Sequence, residues 1–213
     1  MQRLASLLFI GGSVILMSFT TPATVIKGDK PAKTVSAKAT SFVVDKQLSK
    51  VNWVGKKVTG QHSGTINIAE GKLEVENNVL KGGSFSLDTR SIAVTDIKDA
   101  DGNAKLVGHL KADDFFSVDK FATASLVITK VAAKGNGNYD ITGNLTIKGI
   151  TNPITFPATV TVNGGKLTGK ADLKVDRTKY NIKYGSKSFF EGIGDKAIYD
   201  EFELNVVLTA NAK

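Results

Sequence analysis

From Tyr139 to Val162 the chain alternates between apolar and polar residues with a period of two. Tyr139, Ile141, Leu145 and Ile147 fall on every second position, with Gly143 among them, while Asp140, Thr142, Asn144, Thr146 and Lys148 take the places between. That period belongs to a strand with one dry face and one wet face. Gly149 to Pro153 is expected to reverse the chain, because Asn-Pro favours a turn. Ile154, Phe156, Ala158, Val160 and Val162 then share a face opposite Thr155, Thr159 and Thr161, so the stretch reads as a β-hairpin.

The same signal recurs on both sides of this hairpin. Val51, Trp53 and Gly55 alternate with Asn52, Val54 and Lys56; Ile66 and Ile68 follow, Gly71 is expected to turn the chain, and Leu73 and Val75 resume. Phe85 and Leu87 alternate with Ser84, Ser86 and Asp88, and further strands are expected over 124–131, 138–148, 153–163, 166–175 and 200–210. Lys134–Asn138 and Asn163–Gly165 carry explicit hairpin-turn residues. About eight strands joined mostly by short antiparallel turns predict an all-β up-and-down barrel or a sandwich.

One stretch departs from this pattern. Thr95 to Phe121 offers helical candidates at Asn103–Lys111 and Asp113–Val118, the second with Asp113 as N-cap. It is read as a short helical insertion placed as a lid over a barrel end. The dry faces of the later strands are small, with Gly143, Ala158, Val160, Val162, Gly169, Ala171 and Val175. Side chains that fill an eight-stranded barrel need more bulk than this, so an apolar cavity is expected.

A length of 213 residues sets one domain as the default. Residues 1–23 read as a signal peptide: Arg3 leads, Leu4 to Met17 is apolar, and Thr21-Pro22-Ala23 offers a small-residue cleavage site. The run is shorter than the ~20 apolar residues of a spanning helix, so export to a periplasm with cleavage is expected. Residues 24–40 have no periodicity and read as a flexible leader, with the folded domain over 41–213. The chain has no cysteine, which removes disulfides and a lipid-bearing cysteine.

Basic residues number 28 against 20 acidic ones, for a net charge of +8, and the only arginines are Arg3, Arg90 and Arg177. The lysines are scattered over wet strand faces near aspartates, as at Lys170 and Lys174, without the clustered basic face and stacking aromatics of a nucleic-acid surface. They read as a solvated exterior.

Several long motifs, in order, resemble the YceI-like family of bacterial envelope proteins. They are Gly143–Pro157 (GNLTIKGITNPITFP), Gly108–Leu126 (GHLKADDFFSVDKFATASL), Val51–Gly55, His62-Ser-Gly64, and Val175–Thr178 before Tyr180. The resemblance spans about Phe42 to Ala210. It implies an eight-stranded antiparallel lipocalin-like barrel holding a polyisoprenoid or related long-chain amphiphile in an apolar channel, without metal or other cofactor. The chain departs from the family pattern at Leu48, Ala122 and Leu126, positions that bear on the ligand's identity more than on the fold.

Candidate ligand-binding residues follow from both readings. Phe115, Phe116, Phe121, Phe189 and Phe190 lie in the two least strand-like segments and are read as lid or plug aromatics against an apolar ligand. Phe85 joins them from a dry strand face, and Trp53 is read as core first and contact second. His109 has Asp113 at a helical spacing, and the resemblance makes it a polar contact for a head group. Arg177 suits a phosphate or carboxylate head group, or else a salt bridge with Asp176 or Asp200.

Two histidines and no cysteine make a weak zinc set. Ser117-Val-Asp-Lys120 lacks the companion motifs of an acylating serine enzyme, and Asp99-Ala-Asp-Gly102 is out of frame for an EF-hand.

The leading expectation is a non-enzymatic periplasmic carrier of a long-chain isoprenoid or fatty lipid. Its partner is that lipid, with no nucleic acid and no membrane span, and with a homodimer as the assembly if the chain associates. The alternatives are a small lipid-modifying enzyme using His109, which needs a partner within hydrogen-bond reach, and an outer-membrane barrel.

Overall fold

The alternating stretches fold into strands, five of whose eight successive connections are turns of two residues. The computed structural model describes residues 39–213. It contains β1 (Thr40–Val44), β2 (Lys50–Lys57), β3 (Gly60–Glu76), β4 (Val79–Val94), α1 (Ala100–Lys111), β5 (Thr123–Gly135), β6 (Asn138–Ile147), β7 (Ile150–Asn163), β8 (Lys166–Asp176) and β9 (Ile198–Ala212). The expected signal peptide and all of the expected leader but its last two residues lie outside the described residues; Thr40 opens β1.

All pairings are antiparallel, and they run in a ring: β2, β9, β8, β7, β6, β5, β4, β3 and back to β2. The ninth strand, β1, pairs with β3 at Thr40–Val43 and with β9 at Phe42–Val44, so it continues the wall position of β2 beyond a break at residues 45–49. The barrel therefore has eight wall positions, the first of them split. At the break Ser49 Oγ donates to the Thr209 carbonyl at 3.2 Å and accepts from the Thr209 N–H at 3.0 Å, keeping β9 paired where the strand is interrupted.

Three local expectations need correction. The β6–β7 reversal is made by Lys148 and Gly149, both at positive φ (51° and 72°), while Asn152 and Pro153 lie inside β7 opposite Leu145 and Asn144. Two positive φ values match the right-handed twist of a tight hairpin, and glycine supplies the second without strain. Pro153 and Pro157 are tolerated because the β8 ladder starts only at Ala158, leaving that half of β7 with β6 as its paired neighbour.

Gly71 does not turn the chain either. It lies within β3, opposite Phe85, and the turn comes at Asn77–Asn78. A bulge between Ile68 and Glu70 shifts the alternation by one residue, so the buried positions change from Gly64 and Ile68 to Leu73 and Val75.

The third correction concerns the insertion. Its first helical candidate is α1, capped by Asp99, whose carboxylate accepts from the Gly102 N–H at 2.7 Å. The calcium-like Asp99–Gly102 motif is thus a helix start. Asp113–Val118 forms successive turns and no helix. The Phe116 N–H donates to the Leu110 carbonyl, those of Ser117 and Val118 donate to Ala112 and Lys111, and Ser117 takes φ 49°. Asp113 instead accepts from Ser117 Oγ at 2.5 Å and from Lys120 Nζ at 2.6 Å. The Lys120 and Ser117 hydrogen bonds hold its carboxyl below the ordinary value.

Inside the ring sits one apolar cluster that includes Phe42, Leu80, Ile141, Leu167 and Val175. The outward residues of β6 and β7 are mostly threonine, asparagine and proline, with Asp140 among them and Thr142–Thr155 and Thr146–Thr151 hydroxyl pairs at 3.0 and 2.8 Å. Apolar inside and polar outside is the reverse of a membrane-spanning barrel. Among the described residues no helix is long and apolar enough to cross a membrane.

Candidate functional site

The interior holds two cavities. The first, about 110 Å³, is walled by the inward residues of the strands, among them Phe85, Leu126, Phe156 and Leu173. Ala158, Gly169 and Ala171 also line it, so part of the small-residue expectation translates directly into empty space. A Cβ at Gly169 would meet nothing nearer than 3.8 Å. Gly143 has a different cause: a Cβ there would come within 2.8 Å of the Val127 carbonyl and 2.9 Å of Leu126, so β5 is pressed against it. Leu126, one of the departures from the family pattern, faces this cavity.

The second cavity, about 120 Å³, lies under the insertion and the segment after β8. Trp53, Phe202 and Ile198, the first residue of β9, come from the strands, Phe115, Phe116 and Leu110 from the insertion, and Ile182 from the segment between β8 and β9. The insertion thus supplies part of the wall, as expected of a lid. Phe116 stands edge-on to Phe202 at 6.3 Å, and Phe115 lies 5.7 Å from Tyr184.

Arg177 sits at the end of β8 and is 4 % exposed. Its Nε donates to the Tyr199 carbonyl at 3.1 Å, Nη1 to Ile182 at 2.8 Å and Nη2 to Ile198 at 3.1 Å. Asp200 lies 3.7 Å away. Arg177 is part of the wall of the second cavity, while its guanidinium donors tie residues 182 and 198–199 together. Burial lowers its pKa, and Asp200 and Asp176 oppose that. This is the salt-bridge alternative, extended by a clamp on the backbone.

Burial would raise the Asp200 carboxyl. Hydrogen bonds from the Ser186 and Ser188 hydroxyls and the charge on Arg177 outweigh it and hold the group below its ordinary value. A carboxyl with a depressed folded pKa contributes stability above its unfolded pKa and loses it as pH falls through the folded one. The urea midpoint of the wild type should therefore exceed that of Asp200→Asn by a constant margin at neutral pH. The margin should shrink below about pH 4; one that is flat across this range would contradict the assignment.

The remaining candidates lie elsewhere. His109 lines neither cavity. It packs edge-on against Tyr184 at 4.5 Å and Phe115 at 4.9 Å, and its Nε2 pairs with Asp114 at 3.0 Å, not with Asp113. A carboxylate is thus in reach, but on the outer side of the lid. Phe121 packs against Gly149, and its carbonyl accepts from Thr89. Phe189 and Phe190 are half exposed, with Lys183 Nζ 4.5 Å above the Phe189 ring. Neither they nor Phe121 line a cavity.

Ile182, Tyr184 and Ile198 were not among the sequence candidates, because the segment after β8 has no periodicity to mark the first two and Ile198 lies just before the alternation expected over 200–210. Leu110 and Phe202 carried a signal, on a helical stretch and an alternating strand. Among the described residues no group of three or more metal-ligating side chains forms.

The YceI-like domain model matches residues 42–210, from β1 to the end of β9. The chain belongs to the YceI-like family. A UPF0312 protein of Vibrio parahaemolyticus is 41% identical over 83 residues, which are 36% of this chain and 44% of that protein. The chain thus spans less than half the length of that curated relative. BcnA of Burkholderia cenocepacia superposes with a TM-score of 0.65 at 24% identity, covering 79% of this chain and 99% of BcnA. A polyisoprenoid binding domain from Saccharophagus degradans, implicated in plant cell wall breakdown, superposes at 0.60 and 14% identity, covering 81% and 98%. These superpositions establish the YceI-like barrel as the fold.

Proposed function

We propose that this protein binds a long apolar chain, isoprenoid or fatty, inside its barrel and carries it in the periplasm without altering it. The observation that carries this reading is the pair of apolar cavities set end to end inside a closed ring of strands. Apolar surface withdrawn from water contributes roughly 25 cal/mol per Å², so a chain in such an interior is held by burial alone. The polyisoprenoid-binding description of the Saccharophagus degradans domain supports the same ligand class. Carriage is favoured over catalysis because the His109–Asp114 pair does not face either cavity.

The test is native mass spectrometry of protein purified from a bacterial periplasm, followed by solvent extraction. One long-chain lipid per barrel is expected. A protein that emerges empty and takes up neither prenyl nor fatty probes would refute the reading.

A further inference from the structure

The two cavities share part of their walls. Leu87, Ala124, Leu145 and Leu204 line both. On three of their four strands the inward residues on one side of the shared position face the first cavity, and those on the other side face the second. On β4, Phe85 precedes Leu87 and Ile92 follows it; on β6, Ile141 precedes Leu145 and Ile147 follows; on β9, Phe202 precedes Leu204 and Val206 follows. The fourth, Ala124, stands near the start of β5. The four shared side chains therefore mark one level of the barrel, three on adjacent strands and Leu204 across from them.

From this we infer that Leu87, Ala124, Leu145 and Leu204 are a waist that selects ligands by chain length. The inference rests on the binding function proposed above. In a ring of eight positions β9 stands four steps from β5 in either direction, which places Leu204 opposite Ala124. Leu87 is the cross-strand partner of Ala124. Three leucines and one alanine thus set the aperture, and the alanine, facing a leucine, is the position where added bulk closes it. A cavity of about 150 Å³ lined by aliphatic side chains takes a single benzene. Each chamber here is smaller, at about 110 and 120 Å³. A fragment of about five carbons is the most that one chamber takes, whereas a longer chain has to thread the waist and spread the walls of both.

The test compares the five-carbon prenol (3-methylbut-2-en-1-ol) with a nonaprenol, by displacement of a fluorescent prenyl probe, in the full-length mature protein. Ala124→Leu should weaken nonaprenol binding by about tenfold or more beyond whatever it costs prenol, which needs only one chamber. Leu204→Ala, which widens the waist from the opposite wall, should strengthen or speed nonaprenol binding. Thermal melts show that each variant is folded, and the two variants act in opposite directions, so a loss of folding in one leaves the other decisive. If both ligands weaken to the same degree in Ala124→Leu, or if nonaprenol binding ignores both substitutions, the waist is overturned and the binding function stands. If the wild type takes up neither alcohol, the binding function falls and the waist with it.

Discussion

Gly64→Ala is expected to be among the most destabilising single-methyl changes in the chain, at roughly 3 kcal/mol or more, or to leave the protein insoluble. Gly64 pairs with Trp53 on β2 and with Val94 on β4, and the Trp53 indole lies across it. A Cβ there would stand 1.8 Å from the Ala93 carbonyl oxygen and 2.6 Å from the indole ring. That carbonyl accepts the Trp53 Nε1–H at 3.2 Å, so neither neighbour can move without breaking the contact that seats the tryptophan. The control has the opposite sign. Gly108 lies in α1 with nothing within 4 Å of its would-be Cβ, and Gly108→Ala should stabilise by up to about 1 kcal/mol through helix propensity. Urea unfolding of both variants checks the pair, and a Gly64→Ala protein as stable as wild type would contradict the packing account.

Arg177→Met is expected to cost about 3–5 kcal/mol, because it removes three charge-assisted hydrogen bonds to backbone carbonyls and the cation beside a partly buried carboxylate. The substitution strands the carbonyls of Ile182, Ile198 and Tyr199, and it leaves Asp200 Oδ1, buried without a hydrogen bond, with no cation near it. For a chain of this length that corresponds to a melting temperature lower by on the order of 10 °C. Adding Asp200→Asn should recover part of the loss, because much of it is the uncompensated carboxylate. Calorimetry on both single variants and the double variant measures the coupling; strict additivity would mean that the two side chains do not act as a pair. Arg177→Lys should fall between, since an ammonium keeps the charge but lacks the fork that reaches several carbonyls.

The sequence made the second half of the barrel readable and part of the first half opaque. From Asn138 to Asp176 three strands keep an unbroken period of two, Asn136-Gly137 and Gly164-Gly165 mark turns that bound them, and their inward faces could be read directly. In β3 the bulge between Ile68 and Glu70 reverses the alternation within one strand, so a single strand looked like two with a turn at Gly71. Asn152-Pro153 carried turn chemistry that pairing with β6 overrode.

The cavity was legible where alanine and glycine face it, at Ala158, Gly169 and Ala171. It was misread at Gly143, because a missing side chain signals empty space or close approach equally well. The second cavity was only partly legible. Its strand walls alternate, but Ile182 and the start of β9 at Ile198 are held in place by the Arg177 clamp, a contact that no local pattern encodes.

The split first wall position bears on the order of events in the protein's life. The contacts that seal the barrel there join Ser49 to Thr209, 160 residues apart in sequence, and β2 to β9. Contacts so distant in sequence form late and slowly, since the loop they close must be paid for before it is rewarded. Until β9 docks, β2 and β8 each present a bare edge and there is no enclosed space at all. The chain therefore cannot enclose a guest while its last strand is still unmade. Whatever it holds has to be caught as the final seam closes, or admitted later through a transient opening of walls that are already hydrogen-bonded.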